Sequence, residues 1–190
     1  VLRITYPDGV TESRPLAVSK RKYRIQRIDG LPRNMVTPSK EELARIRLEG
    51  ERIAAVRRRD TAATWFAEGF AWPLVGIITG VYGSQRILNG EPRRPHFGVD
   101  IAAPVGTPVG APAPGIVALA DADLFFTGGT VMIDHGYGLS SVFSHLARVD
   151  VRVGDRLERG QILGTLGATG RATGPHLDWR VNWFKTRLDP

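Results

Sequence analysis

At 190 residues, with 42% apolar and 24% charged residues, the chain is long enough for one sizeable core, or a core with an appended piece. It has no cysteine, which excludes disulfides, thiolate metal sites and cysteine nucleophiles, and it has no apolar run of the roughly 18 residues needed to cross a membrane. The whole net charge of +7 sits in residues 1–60, with 15 Lys+Arg against 8 Asp+Glu, whereas residues 61–190 hold 11 of each.

A basic segment attracts polyanions such as nucleic acid, anionic lipid headgroups or anionic wall polymers. Here the basic residues are dispersed and not interleaved with aromatics, so they read more simply as a solvated surface, and no nucleic-acid partner is expected. The chain starts at Val1 without a signal-peptide pattern, which fits a processed or trimmed product.

The opening VLRITYPDGVTESRPLAV alternates apolar and polar residues around PDG and predicts a β-hairpin; KYRIQRIDGLP adds one more strand. That is too little sheet to stand alone, so residues 1–36 form a small β segment that packs on the rest or is the remnant of a larger domain. Residues 37–62 follow as a linking helix. Ser39 and Glu42 make a capping-box pattern, Leu43, Ile46, Ile53 and Val56 recur near helical spacing, and Arg57–Arg59 suit the negative end of the dipole. Gly50 weakens this helix.

From residue 63 onward, short apolar runs alternate with Gly and Pro turns (PLVGIITGVYG, GIVALA, TVMIDHG, LSSVFSHL, ILGTLG). This texture predicts a mainly β fold, a many-stranded antiparallel barrel or sandwich. All four histidines of the chain, His96, His135, His145 and His176, fall in it.

In PHFGVDIAAPVGTPV, His96 and Asp100 are four apart, which on a straight strand means a separation of about 13 Å, too far to share one ion. Pro95 and Gly98 favour a bend, and only a bend lets the two converge. In SSVFSHL, alternation places His145 on the face of Phe143. In PHLDW, His176 and Asp178 point to one side of a strand with Cα atoms about 6.6 Å apart, and Leu177 faces the core.

HFGVDIAAPVGTPVGAPAPGIV, MIDHGYGLSSVFSHL, VRVGDRLERGQILGTLGATGRATGPHL and the upstream GVYGSQRILNGEPR together resemble the M23 metallopeptidases, the lysostaphin-type or LytM-type peptidoglycan endopeptidases. The resemblance covers roughly residues 70–185 and implies the LytM-like fold, related to lipoyl and biotinyl hybrid motifs. It implies one zinc ion held by His96, Asp100 and the residue at position 178, with His145 and His176 as the catalytic pair. The family pattern has HxH where this chain has His176–Leu177–Asp178. His135 matches no catalytic position and is expected to be structural. A carrier domain of the lipoyl kind is excluded, because residues 61–190 hold one lysine, Lys185, outside any suitable hairpin tip.

Zinc accepts carboxylate oxygen at about the same distance as imidazole nitrogen, so Asp178 is chemically acceptable as a ligand. A second carboxylate makes the centre formally neutral and opens it to a harder ion such as Mn²⁺. Three alternatives stand: Asp178 replaces the histidine ligand; His176 turns to the metal with Asp178 behind it; or the site is degenerate and the domain binds peptidoglycan or activates another wall hydrolase.

The resemblance implies metal-assisted hydrolysis of peptide cross-links in peptidoglycan, in the periplasm or cell envelope. One of His145 and His176 takes the proton from the attacking water and the other stabilises the oxyanion. Trp179, Trp183 and Phe184 are expected in the core more than in the cleft. Residues 1–60 are candidates for an inhibitory segment, with Asn89 and the PDG tip as conceivable blockers.

Overall fold

The computed structural model describes residues 1–190. The N-terminal part carries β1 (Leu2–Thr5), β2 (Thr11–Arg14), β3 (Ile25–Ile28), a single-turn helix α1 (Arg33–Val36) and α2 (Lys40–Val56). A 3₁₀ turn at Trp65–Glu68 leads to β4 (Ile77–Gly80), β5 (Gln85–Leu88), β6 (Glu91–Pro92), β7 (Val99–Ala102), β8 (Pro108–Gly110) and β9 (Gly115–Leu124). The chain ends through β10 (Gly128–Gly136), β11 (Leu139–Val149), β12 (Arg156–Leu157), β13 (Ile162–Leu166), β14 (Leu177–Trp183) and β15 (Thr186–Leu188).

Ten of these strands form one antiparallel sheet in the order β12-β9-β10-β11-β14-β7-β4, with β13 joining β11 to β8 and β15 folding back on β14 through the Phe184–Lys185 turn, so Lys185 lies at a hairpin tip, contrary to the sequence reading. The fold is therefore mainly β, as the Gly/Pro-punctuated runs predict. Strand alternation sends Val131, Ile133, Phe143, Leu177, Trp179 and Val181 into the main core. The opposite face of β9–β11 carries Ala118, Leu119, Met132 and Val142, which pack under Val56 and the half-buried Ile53 of α2. Full burial of a Val, Leu, Ile, Phe or Met side chain contributes roughly 1.5–3 kcal/mol.

Helix α2 begins where its sequence dictates. Ser39 Oγ accepts from Glu42 N at 3.2 Å, and Ser39 N donates to Glu42 Oε2 at 2.7 Å, so the capping box is closed in both directions. The helix is fastened to the barrel by Phe125 N donating to Glu49 Oε2 at 2.8 Å and by the Arg52–Asp121 ion pair at 2.8 Å. Leu43, by contrast, stays exposed.

The β1–β2 hairpin forms around Tyr6–Val10 as a separate two-stranded ribbon. Strand β3 pairs in parallel with β5, which pairs with β6, so a third small sheet lies beside the end of the barrel. Leu31, Val36 and Leu88 make a small core there, and Asn89 is pinned to it: its Oδ1 accepts from Leu31 N at 3.1 Å and its Nδ2 donates to Leu31 O at 2.7 Å. Asn89 therefore acts as a clasp for the Leu31 backbone and not as a blocker. Neither it nor the PDG tip lines the principal cleft.

Candidate metal centre

Strand β7 runs antiparallel to β14 with Asp100 opposite Asp178, and Ser144 of β11 lies opposite Asp178 on the other side. Three adjacent strands thus place two carboxylates in one small, dry region, both nearly inaccessible to solvent. The segment Pro95–Gly98 precedes β7 and bends, as the proline and glycine predict. His96 returns over the strand so that its Nε2 lies 3.0 Å from Asp100 Oδ1. The ligand atoms of His96, Asp100 and Asp178 lie within 4.8 Å of one another.

Gly98 makes this approach possible. A Cβ there would sit 2.6 Å from Arg180 Cγ and from Trp179 O, and 2.8 Å from Asp178 Oδ1. Gly80 does the same from β4, where a Cβ would fall 2.3 Å from Asp100 Oδ2.

The histidine pair flanks this group. The His145 and His176 rings are 4.7 Å apart between centroids, and His176 Nε2 is 4.0 Å from Asp100 Oδ1. His145 Nδ1 donates to Thr169 O at 2.8 Å, and His176 Nδ1 donates to Gly174 O at 2.8 Å. A carbonyl oxygen only accepts, so the neutral form of either ring has its proton on Nδ1 and its lone pair on Nε2.

His145 does not share the face of Phe143. Its φ is +68°, and the β10–β11 register is irregular at Gly129 to Val131. The bulge breaks the alternation, so Phe143 and Leu146 both enter the core while His145 turns to His176. A left-handed histidine is strained, and such strain collects at functional sites. Thr169 secures it: its Oγ1 accepts from Gly129 N at 2.9 Å and donates to Leu146 O at 2.8 Å.

Burial pushes the pKa of His145 down to about 4, which keeps the ring neutral at neutral pH. Burial opposes ionisation of Asp178, but the Arg180 charge and its hydrogen bonds outweigh it and hold the carboxyl well below the usual carboxylate range. At Asp100 burial is again opposed, by contact with His96 and by Arg86, and its carboxyl is also held low.

Arg86 and Arg180 were not among the expected site residues. Arg180 grips both oxygens of Asp178, with Nε donating at 2.9 Å to Oδ1, while Arg86 donates to Asp100 Oδ2. Arg180 was legible in principle, since residues two apart on a strand share a face. Arg86 was not, because pairing between distant segments puts it there; its Nε also donates to Gln26 Oε1 of β3 at 3.2 Å.

The residues present fit a divalent ion. Both ring nitrogens of His96 and Asp100 Oδ1 are buried without a hydrogen-bond partner; the 3.0 Å His96–Asp100 contact is misaligned for one. A native structure seldom leaves such groups unsatisfied. Asp178 has about four lone-pair positions, and the two-pronged grip of Arg180 leaves room for a further bond. Arg180 also offsets the extra negative charge that aspartate brings in place of histidine: Asp178 and Arg180 together are neutral, as an imidazole ligand is.

His135 lies outside this group. Its Nδ1 donates to Pro114 O at 2.7 Å, and its Nε2 accepts from Ser141 at 2.8 Å in a fully buried setting. Trp179 is core, packed edge-on to Trp72, whereas Trp183 is 54% exposed away from the cleft.

The pattern defining peptidase family M23 matches residues 94–190, just over half of the sequence. The chain belongs to peptidase family M23. It is similar to the cell division protein DipM of Caulobacter vibrioides, with 33% identity over 74% of this chain and 23% of that one. It is also similar to the peptidoglycan DD-endopeptidase ShyC of Vibrio cholerae, with 44% identity over 44% of this chain and 19% of that one. Among solved structures, an M23-type chain from Pseudomonas aeruginosa superposes with a TM-score of 0.71 at 41% identity, over 80% of this chain and 61% of that one. A zinc-containing peptidase from Vibrio cholerae superposes with a TM-score of 0.59 at 31% identity, over 63% of this chain and 38% of that one. This M23 chain spans about a quarter or less of the length of these two curated relatives.

Proposed function

We propose that the protein is a metal-dependent endopeptidase that hydrolyses peptide cross-links of peptidoglycan in the cell envelope. The observation that carries this reading is the convergence of His96, Asp100 and Asp178, with unsatisfied ligand atoms on His96 and Asp100, beside two histidines that offer bare Nε2 lone pairs. The named activities of the M23 relatives supply the substrate class.

His96, Asp100 and Asp178 would hold a divalent ion, which would supply Lewis acidity for peptide hydrolysis. The protein's own groups do the rest. Thr169 O and Gly174 O fix the two imidazoles in the tautomer that accepts a proton at Nε2. His176 is the more exposed of the pair, and burial disfavours charge at His145, so His176 takes the proton while His145 orients the water as an acceptor. Arg180 holds Asp178 in one rotamer and cancels its charge.

A second reading is favoured by the same arginines. With Arg86 on Asp100 and Arg180 on Asp178, both carboxylates already have cationic partners, as a metal-free binding or regulatory module needs. Elemental analysis of the purified protein and of Asp178→Ala, with peptide release from purified peptidoglycan before and after chelation, separates the two. The peptidase reading expects one divalent ion per chain, less in the variant, and cleavage abolished by chelator and restored by zinc. Folded protein with neither bound metal nor cleavage in the presence of divalent ions overturns it.

A further inference from the structure

His96 and His176 line a cleft of about 950 Å³ between the small β3-β5-β6 sheet and the barrel. Seven of the eleven cations in residues 61–190 line it: Arg86, Arg93, Arg94, Arg171, Arg180, Lys185 and Arg187. Arg86 and Arg180 are spent on Asp100 and Asp178. The other five make no ion pair. Arg93 and Arg171 donate to the α1 carbonyls of Val36 and Met35, and Arg187 donates to Asn182 Oδ1, all neutral acceptors that leave the charge uncompensated.

We propose that this cleft selects a peptide bearing at least two free carboxylates, and that Arg94, Arg171 and Arg187 are the side chains that read them. The inference rests on the peptidase reading for the peptide's origin but not for the binding itself. Like charges gathered without counter-charges repel one another, and an anionic occupant relieves that repulsion. Consistent with this, burial and then the charge of Arg180 push Arg171 and Arg187 each down to about 10. Arginine suits the task because its planar fork meets a carboxylate with two parallel hydrogen bonds. A nucleic acid is the poorer occupant: Phe97 is the one aromatic among the lining residues, and single strands need a row of stacking platforms.

The test is calorimetric titration of the full chain with a cross-linked stem-peptide dimer carrying free carboxylates. The same dimer with its carboxylates amidated and a single-stranded oligonucleotide serve as the other ligands. Charge-assisted hydrogen bonds predict that amidation weakens binding at least about tenfold. Arg94→Gln and Arg187→Gln should each weaken the free-acid dimer by roughly fivefold to tenfold and leave the amidated dimer unchanged. The comparison of free with amidated peptide needs no variant, so a misfolded variant leaves it intact.

Equal affinity for both peptides, no binding to either, or tighter binding to the oligonucleotide overturns the proposal. A carboxylate preference without hydrolysis sinks the peptidase reading and leaves this inference standing. Hydrolysis at equal rates on free and amidated peptides does the reverse.

Discussion

Replacing Arg180 by glutamine removes the charge that Asp178 faces while keeping much of the side chain's length. Asp178 is 1% exposed, and its only direct hydrogen-bond donor is Arg180, which holds both oxygens. Leaving such a carboxylate buried and unpaired costs about 3–5 kcal/mol. For a domain of this size each kcal/mol lowers Tm by about 2–4 °C, so metal-free Arg180→Gln should melt about 6–20 °C below the metal-free parent.

The assay is differential scanning calorimetry in chelator and again with excess zinc. With Asp178 as the proposed ligand, zinc would replace the lost positive charge, so its stabilising shift should be larger in Arg180→Gln than in the parent. Removing both charges in Asp178→Leu with Arg180→Met should recover most of the loss, because apolar isosteres of a buried ion pair are often neutral in cost. A metal-free Arg180→Gln protein melting within about 2 °C of the parent would refute the reasoning, since Asp178 would then not depend on Arg180 for its charge.

Gly98→Ala should displace Arg180 and Asp178, because the new Cβ meets Arg180 Cγ and Trp179 O at 2.6 Å; we expect a loss of roughly 1–3 kcal/mol and reduced metal content by elemental analysis. Metal-free protein should lose stability as pH falls from about 6.5, where an unfolded histidine protonates, to about 4, where folded His145 does. The sign follows because the unfolded chain binds the proton first. The loss is roughly 3 kcal/mol, and His145→Gln should flatten that part of the pH–stability curve in chemical denaturation. Ser39→Ala opens the capping box of α2 and should cost about 1 kcal/mol in the same assay, with zinc content unchanged.

How far the sequence reaches depends on whether a feature is local. The capping box at Ser39 and Glu42, the hairpin at PDG and the inward turn of Leu177 are set by neighbours in the chain, and each appears as its pattern implies. His96 and Asp100 are an intermediate case: spacing alone puts them too far apart, and Pro95 with Gly98 supplies the bend that resolves the conflict. His145 fails by the same logic. Strict alternation puts it beside Phe143, but a bulge adds one residue to β11 and reverses every face after it. Nothing in SSVFSHL marks that bulge, because it is imposed by the partner strand and by Thr169 some two dozen residues away.

Charge shows the same limit more sharply. A sum over residues 61–190 gives zero and points to the N-terminal third as the basic surface. Folding overrides that average. Residues from β5, the Arg93–Arg94 segment after β6, the loop before β14, and β14 and β15 all converge on one cleft, while balancing carboxylates such as Asp121, Asp150 and Glu158 lie elsewhere on the barrel. An electrostatic field depends on where charges are, not on their total. The paired arginines Arg86 and Arg180 belong to the same concentration: two cations neutralise the acidic floor, and the remaining five face what enters. A neutral sequence segment therefore builds both a charge-compensated candidate metal site and a basic entrance, and only the sheet order makes the two coincide.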